Sequence, residues 1–243
     1  MREALVGAAI LILTVGAAVR AQDQPSPLDA PTALRLPATL PACGVNTVLL
    51  ALARTSHVAT GFEESPDESR DCSGRFARVD VSYEQSSLTV RQVLDQLIAL
   101  APDYQWTEMN GVAVVRPVAA WANGEDVLNA RVGPLHLTDA TVGDTLATIL
   151  RRPAPRDDRV SRLNFGKPPF AVAFDGGTMV EALNVLVRSR GDAGWTARVL
   201  HASGADGTPA LQLSIRTFRV GDRTGVDGAL SMGMPISRLI ATR

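Results

Sequence analysis

The sequence predicts an α+β protein of two tandem small modules, each with two helices packed on a small mixed β-sheet. Two observations predict this class: apolar residues recur at helical spacing in several segments, and strand-like alternation separates those segments. A third observation is that one block of this pattern occurs twice along the chain. With 243 residues, of which 46% are hydrophobic and 20% charged, the chain is long enough and apolar enough to build such cores.

The first 21 residues have the features of a cleavable signal peptide. Arg2 precedes a mainly apolar stretch over residues 4–19, and Val19 and Ala21 place small residues at the −3 and −1 positions. We expect cleavage before Gln22 and a periplasmic or secreted protein, because the stretch is short for a membrane span of about 20 residues. An uncleaved membrane anchor remains the alternative.

A proline-rich lead-in, residues 22–32, precedes the first module, and residues 33–36 have the composition of an edge strand. The chain then divides into a first module, a linker, a second module and a glycine-rich tail, at residues 33–117, 118–127, 128–218 and 219–243. We expect the tail either to be flexible or to dock as an extra strand or a short helix.

The repeated block begins at Thr89 and again at Thr178, each of which opens a Thr-x-x-Gln or Thr-x-x-Glu capping box before an apolar helical pattern. Trp106 follows the first threonine by 17 residues, and Trp195 follows the second by the same 17. A strand pattern precedes each helix and a hairpin pattern follows each tryptophan, so the unit is strand, helix, strand, strand. Looser copies of the helix pattern begin at two further residues, Gly44 and Thr141.

Residues 45–62 and 88–117 resemble the short N-terminal domain shared by secretins and TonB-dependent transducers, with its helix patterns ALxxLAxxSG and TLxxALxxLL and its closing strand VxVxP. Residues 128–218 form a looser second copy. The resemblance implies a periplasmic location and contacts with proteins: ring assembly in secretins, and signalling to a partner domain in transducers.

Several departures limit what this resemblance implies. His57 replaces the glycine expected after the first helix, and an acidic insertion, residues 63–71, follows the first strand. The later residues resemble no plug, outer-membrane barrel or secretin pore. We therefore expect only the fold of the module and its general role in protein contacts to carry over.

No residue pattern predicts an active site. The motifs GxSxG, SxxK and HExxH are absent, and the three histidines, His57, His136 and His201, stand in separate segments. The densest acidic stretch fits a solvated loop better than a Ca²⁺ site, because its spacing matches no EF-hand; its members are Glu63, Glu64, Asp67, Glu68 and Asp71. We expect no catalysis, no cofactor and no metal.

Binding to another protein, either an envelope component or a second copy, is the function that the sequence favours, because small sheets leave edges that accept a partner strand. The alternative is a small-molecule or glycan-binding protein that uses the crevice between the modules. Trp121 in the linker is the candidate interface residue, whereas Trp106 and Trp195 are expected in the core. The net charge of −1 gives no reason to expect nucleic acid.

Cys43 and Cys72 are the only cysteines of the chain. An even number of cysteines in an exported chain predicts one disulfide. A redox or metal pair is the weaker alternative, because the two residues lack C-x-x-C spacing.

The disulfide is expected to contribute about 3–4 kcal/mol to the free energy of unfolding, because it closes a loop of about 30 residues in the unfolded chain. Urea denaturation with and without reductant measures this. Reductant should destabilise the wild type and leave Cys43→Ser unchanged. Free thiols in the denatured but unreduced wild type would contradict the pairing.

Overall fold

The structure is a computed structural model that describes residues 25–41, 43–66, 79–83, 88–151, 169–200, 209–218 and 229–236. Helices and strands both occur throughout these residues, so the predicted α+β class is confirmed. The signal peptide lies outside the described residues, as does Cys72, so export and the disulfide stay predictions. Among the described residues, every helix is too short or too polar to traverse a lipid bilayer.

The described residues form five α-helices and twelve strands. The helices are α1 (Gly44–Ser56), α2 (Val90–Leu100), α3 (Val118–Ala122), α4 (Val142–Ile149) and α5 (Met179–Arg190). The strands are β1 (Leu34–Arg35), β2 (Thr60–Glu63), β3 (Ser82–Tyr83), β4 (Tyr104–Met109), β5 (Val112–Pro117), β6 (Arg131–Val132), β7 (Leu135–Ala140), β8 (Phe170–Phe174), β9 (Gly177–Thr178), β10 (Ala193–Leu200), β11 (Ala210–Thr217) and β12 (Ala229–Pro235).

One six-stranded sheet, in the order β12-β11-β10-β2-β5-β4, forms the centre of the fold. The pairs β10–β2 and β2–β5 are parallel, and the other neighbours are antiparallel. Because β2 belongs to the first half of the chain and β10 to the second, the two halves share this sheet. The two-module arrangement with a separate sheet in each half is therefore not confirmed. Three two-stranded sheets, β1–β3, β6–β9 and β7–β8, accompany the main one.

The helices of the two halves pack on opposite faces of this sheet. Strand β5 shows this best, because its side chains alternate between the faces. Ala113 and Val115 lie in one core with α1 and α2, which we call the first face. Val112 and Val114 lie in another core with α4 and α5, the second face. Burial on both faces explains why the first four residues of β5, 112–115, are all apolar.

The helix boundaries follow the local signals in the sequence. Thr89 and Thr178 form the predicted capping boxes, and Thr141 forms a third one at the start of α4. Helix α5 ends at Gly191, whose φ of 79° suits glycine. Helix α1 ends at His57 with a φ of 53°, so a non-glycine residue adopts the left-handed conformation at the position where the resemblance predicts glycine.

The repeat is visible in the hydrogen bonds of its tryptophans. Trp106 Nε1 donates to Asp95 Oδ1 on α2, and Trp195 Nε1 donates to Asn184 Oδ1 on α5, both at 2.8 Å. Each ring thus packs against the preceding helix, and its bonded partner lies 11 residues earlier in the chain. Trp195 is fully buried in the core, whereas Trp106 is half-buried on β4.

The structural repeat also includes a short 3-10 turn that opens each half, centred on Leu28 or Leu128. Both leucines are fully buried. The residue two positions earlier, Ser26 or Asp126, accepts a hydrogen bond from the leucine amide. The first turn lies within the lead-in, and the second lies where the linker meets the second predicted module.

The segments outside the repeat take one of their expected forms. Within residues 33–36, β1 pairs with β3, and within the tail, β12 adds to the main sheet beside β11 as an extra strand. The turn at Asn110 and Gly111 has φ values of 54° and 76°, as a two-residue hairpin turn requires.

Gly61 of β2 is expected to tolerate no side chain, because a Cβ atom there would lie within 2.6 Å of Trp195 Nε1 and closer still to two ring carbons. Gly61→Ala should lower the free energy of unfolding by about 2–3 kcal/mol, since the buried ring must shift. Gly124→Ala is the control, because its added Cβ meets nothing within 4 Å. Equal urea midpoints for the two variants would contradict this packing.

Candidate functional site

A buried cluster of polar side chains lies where the first half of the chain meets the second. Arg116, near the end of β5, is 1% exposed. Its Nε donates to Glu63 Oε2 at 2.5 Å, its Nη1 to Asn129 Oδ1 at 2.8 Å and its Nη2 to Asp126 Oδ1 at 2.9 Å. We call these four residues and Trp121 the Arg116 cluster.

The sheet and residues 118–129, which we call the connecting segment, position these groups. Strands β2 and β5 are parallel neighbours, and their register brings Glu63 beside Arg116 on the second face. Asp126 is held by the 3-10 turn that opens the second half, because it also accepts from the Leu128 amide at 2.8 Å. Asn129 fixes the preceding chain, since its Nδ2 donates to backbone carbonyls of Ala120 and Asn123.

The cluster holds one guanidinium and two carboxylates in a place from which water is largely excluded. Burial raises the pKa of Glu63 to about 7. The charge of Arg116 opposes this rise, and the neighbouring carboxylate of Asp126 adds to it. The arrangement therefore binds a proton within the physiological range of pH.

The expectation that the acidic stretch is a solvated loop is wrong for its first two members. Glu63 is the last residue of β2 and is 8% exposed, and Glu64 is 9% exposed. Strand β2 reaches further along the chain than its apolar residues indicate, and the Glu64 amide donates to the Ala197 carbonyl of β10. The other acidic residues of the stretch, Asp67, Glu68 and Asp71, lie outside the described residues.

Trp121 lies on α3 and packs, half-buried, against the core of the second face. The guanidinium carbon of Arg116 is 5.2 Å from its ring centroid, which is a cation–π distance. Its Nε1 is buried and makes no hydrogen bond to any residue that the structure describes. The ring therefore covers the joint between the halves, and its role as an interface anchor stays a prediction.

The two described histidines lie on different elements of the fold. His57 is exposed at the end of α1, and His136 is exposed on β7, while His201 lies outside the described residues. In the ranges that the structure describes, no three His, Cys, Asp or Glu side chains are grouped so that they could hold a metal ion.

A small cavity of about 40 Å³ lies between the end of α1 and the turn from α5 to β10, lined in part by His57, Asp192 and Phe218. Pockets for organic ligands are typically about 300–1,000 Å³. This cavity has room for water molecules only, and Trp121 does not line it.

A second polar network lies beside β4. Arg91 on α2 binds Asp29 Oδ1 at 3.0 Å and Glu108 Oε2 at 2.7 Å. Its pKa is raised, chiefly by the hydrogen bond to Glu108. The guanidinium lies 5.4 Å from the ring centroid of Trp106, and Ser26 Oγ donates to Glu108 Oε1 at 2.7 Å. This network fixes the proline-rich lead-in against the strand.

No protein-family model, curated protein or solved structure matches this chain. The resemblance to the short N-terminal domain of secretins and TonB-dependent transducers therefore stays a prediction.

Stability is expected to fall as the pH rises from 5 to 8, because the folded protein holds a proton on Glu63 that the unfolded chain releases near its ordinary pKa of 4.5. Folding raises the pKa of the Glu63 carboxyl. The contribution of this carboxyl to the free energy of unfolding is therefore complete below the pKa of the unfolded chain and is lost as the pH approaches 7. Across this range the loss should be about 3 kcal/mol.

Urea denaturation at several pH values, on the wild type and on Glu63→Gln, measures this effect. The variant lacks the titrating group, so the difference in unfolding free energy between the two proteins should change with pH. Parallel pH profiles would contradict the raised pKa.

Proposed function

We propose that the protein is an exported, non-enzymatic component of the cell envelope that binds another protein by accepting a strand at the outer edge of β4. The observation that carries this proposal is the position of β4. It is the last strand of the six-stranded sheet, and in the part of the chain that the structure describes no strand lies on its other side.

Ladder geometry identifies which backbone groups of β4 face outward. The two-residue turn makes Met109 and Val112 a hydrogen-bonded pair, and such pairs alternate along an antiparallel ladder. Thr107 and Gln105 therefore bond inward to β5. The N–H and C=O groups of Trp106 and Glu108 face away from the sheet, where a partner strand would bond.

Proline, lysine and a β-bulge, three of the usual protections of an edge, are absent from β4. Natural edge strands are commonly blocked by lysine, proline or a bulge. β4 has the sequence Tyr-Gln-Trp-Thr-Glu-Met, which contains no lysine or proline, and its register with β5 is regular over all six residues. Its backbone is therefore suited to strand addition.

The outward-facing residues are also held in place before any partner binds. Trp106 is fixed by its bond to Asp95, and Glu108 by its ion pair with Arg91. A rigid edge lowers the conformational entropy lost on binding. The ion pairs are partly exposed, with Arg91 38% and Glu108 27% exposed, so they supply the polar rim that interfaces have.

The predicted signal peptide and the resemblance to an envelope domain support the location and the class of partner. The partner is either an envelope component or a second copy of this chain. A glycan-binding function has less support, because the Arg116 guanidinium already covers one face of the Trp121 ring.

Glu108→Pro is expected to abolish partner binding, because proline removes the outward N–H while tolerating the edge position. Glu108→Ala is the matched control: both variants lose the ion pair with Arg91, but only proline loses the donor. We expect the mature wild-type protein, beginning at Gln22, to capture its partner from an envelope fraction, and the Glu108→Ala variant to do the same. The Glu108→Pro variant should not capture it.

Sedimentation of the purified protein distinguishes the two kinds of partner, since self-association that Glu108→Pro abolishes identifies a second copy. Equal capture by the two variants would contradict docking at this edge. Circular dichroism melting curves verify that both variants fold.

A further inference from the structure

The Arg116 cluster joins three parts of the chain. Glu63 is on β2, Arg116 is on β5, and Asp126 and Asn129 belong to the connecting segment. The segment also carries Trp121, whose ring lies against the same guanidinium. All three nitrogens of the Arg116 guanidinium are used, so the segment is held on the sheet through one buried cation.

The charges of the cluster do not balance when both carboxylates are ionised. One positive charge then faces two negative ones, and the side chains of Glu63 and Asp126 are only 11% and 14% exposed. An uncompensated buried charge is costly, whereas one bound proton makes the cluster neutral. The protonated cluster is therefore the better-satisfied state of this geometry.

The other elements around Glu63 add no compensating charge among the described residues. Strand β10 places Ala197 opposite Glu63. The charged groups that act on the Glu63 carboxyl are Arg116 and Asp126.

The two carboxylates differ in how firmly the backbone holds them. Glu63 lies in a strand with a parallel neighbour on each side. Asp126 lies in the connecting segment, outside any sheet, and its backbone is held by short-range bonds. When the two repel each other, the displacement falls on Asp126 together with the 3-10 turn that it caps, because no ladder holds that turn.

We propose that the Arg116 cluster is a proton-dependent clamp on the connecting segment. With a proton on Glu63, the segment is fixed on the sheet. When that proton is lost, Asp126 withdraws from Arg116 and the segment, with Trp121, loosens. The clamp is independent of docking at β4, and each can fail without the other.

The indole N–H resonances of the three tryptophans test this clamp by 1H–15N NMR of the full mature chain between pH 5.5 and 8.5. We expect the Trp121 resonance to shift with a midpoint near pH 7 and its solvent exchange to rise several-fold beyond the intrinsic effect of pH. Trp106 and Trp195 are internal controls and should keep their positions. The indole resonance that is missing from the spectrum of Trp121→Phe is that of Trp121.

Glu63→Gln should hold the Trp121 resonance at its low-pH position throughout, and Asp126→Asn should do the same if Glu63→Gln does not fold. A Trp121 resonance that does not move in the wild type would overturn the clamp. So would a shift that persists in the variants, or one that all three indoles share.

Discussion

The parallel pairing of β2 with β10 is the contact on which the rest of the structure depends. It aligns Gly61 with Trp195 and joins a hairpin from each half of the chain into one sheet. The pairing requires glycine at position 61, because the Trp195 ring occupies the space of a Cβ atom. Since the helices of the two halves pack on opposite faces, β2 becomes buried on both sides.

Both candidate sites follow from this central position of β2. Because β2 lies between β5 and β10, its last residue, Glu63, is carried inside the protein and needs a buried cation, which Arg116 provides at 2.5 Å. Strand β10 pairs with β2 at one side of the first-half strands β2, β5 and β4. Strand β4 is therefore the outermost strand at the opposite side of the sheet. The same pairing thus produces a polar cluster inside the fold and leaves β4 as a terminal strand of the sheet among the described residues.

Local features of this fold were predictable from the sequence and long-range ones were not. The capping threonines and the Asn110–Gly111 turn act within a few residues, so their patterns identify them. The shared sheet depends on strands far apart in the chain, and no local pattern encodes that pairing. The sequence pattern places Glu63 in a solvated acidic loop, because its partner, Arg116, is 53 residues away and leaves no local signal. The turn at Leu28 was hidden by flanking prolines, which indicate an extended lead-in.

Native-state hydrogen exchange at increasing urea concentrations tests most directly whether the two halves are one cooperative unit. The account predicts that amides of β5 and β11, which belong to different halves, open with the same free energy and the same dependence on urea, because β2 and β10 join them. Opening of β10 and β11 at a lower free energy and with a smaller urea dependence than β2 and β5 would contradict it. The halves would then be separate modules that happen to touch.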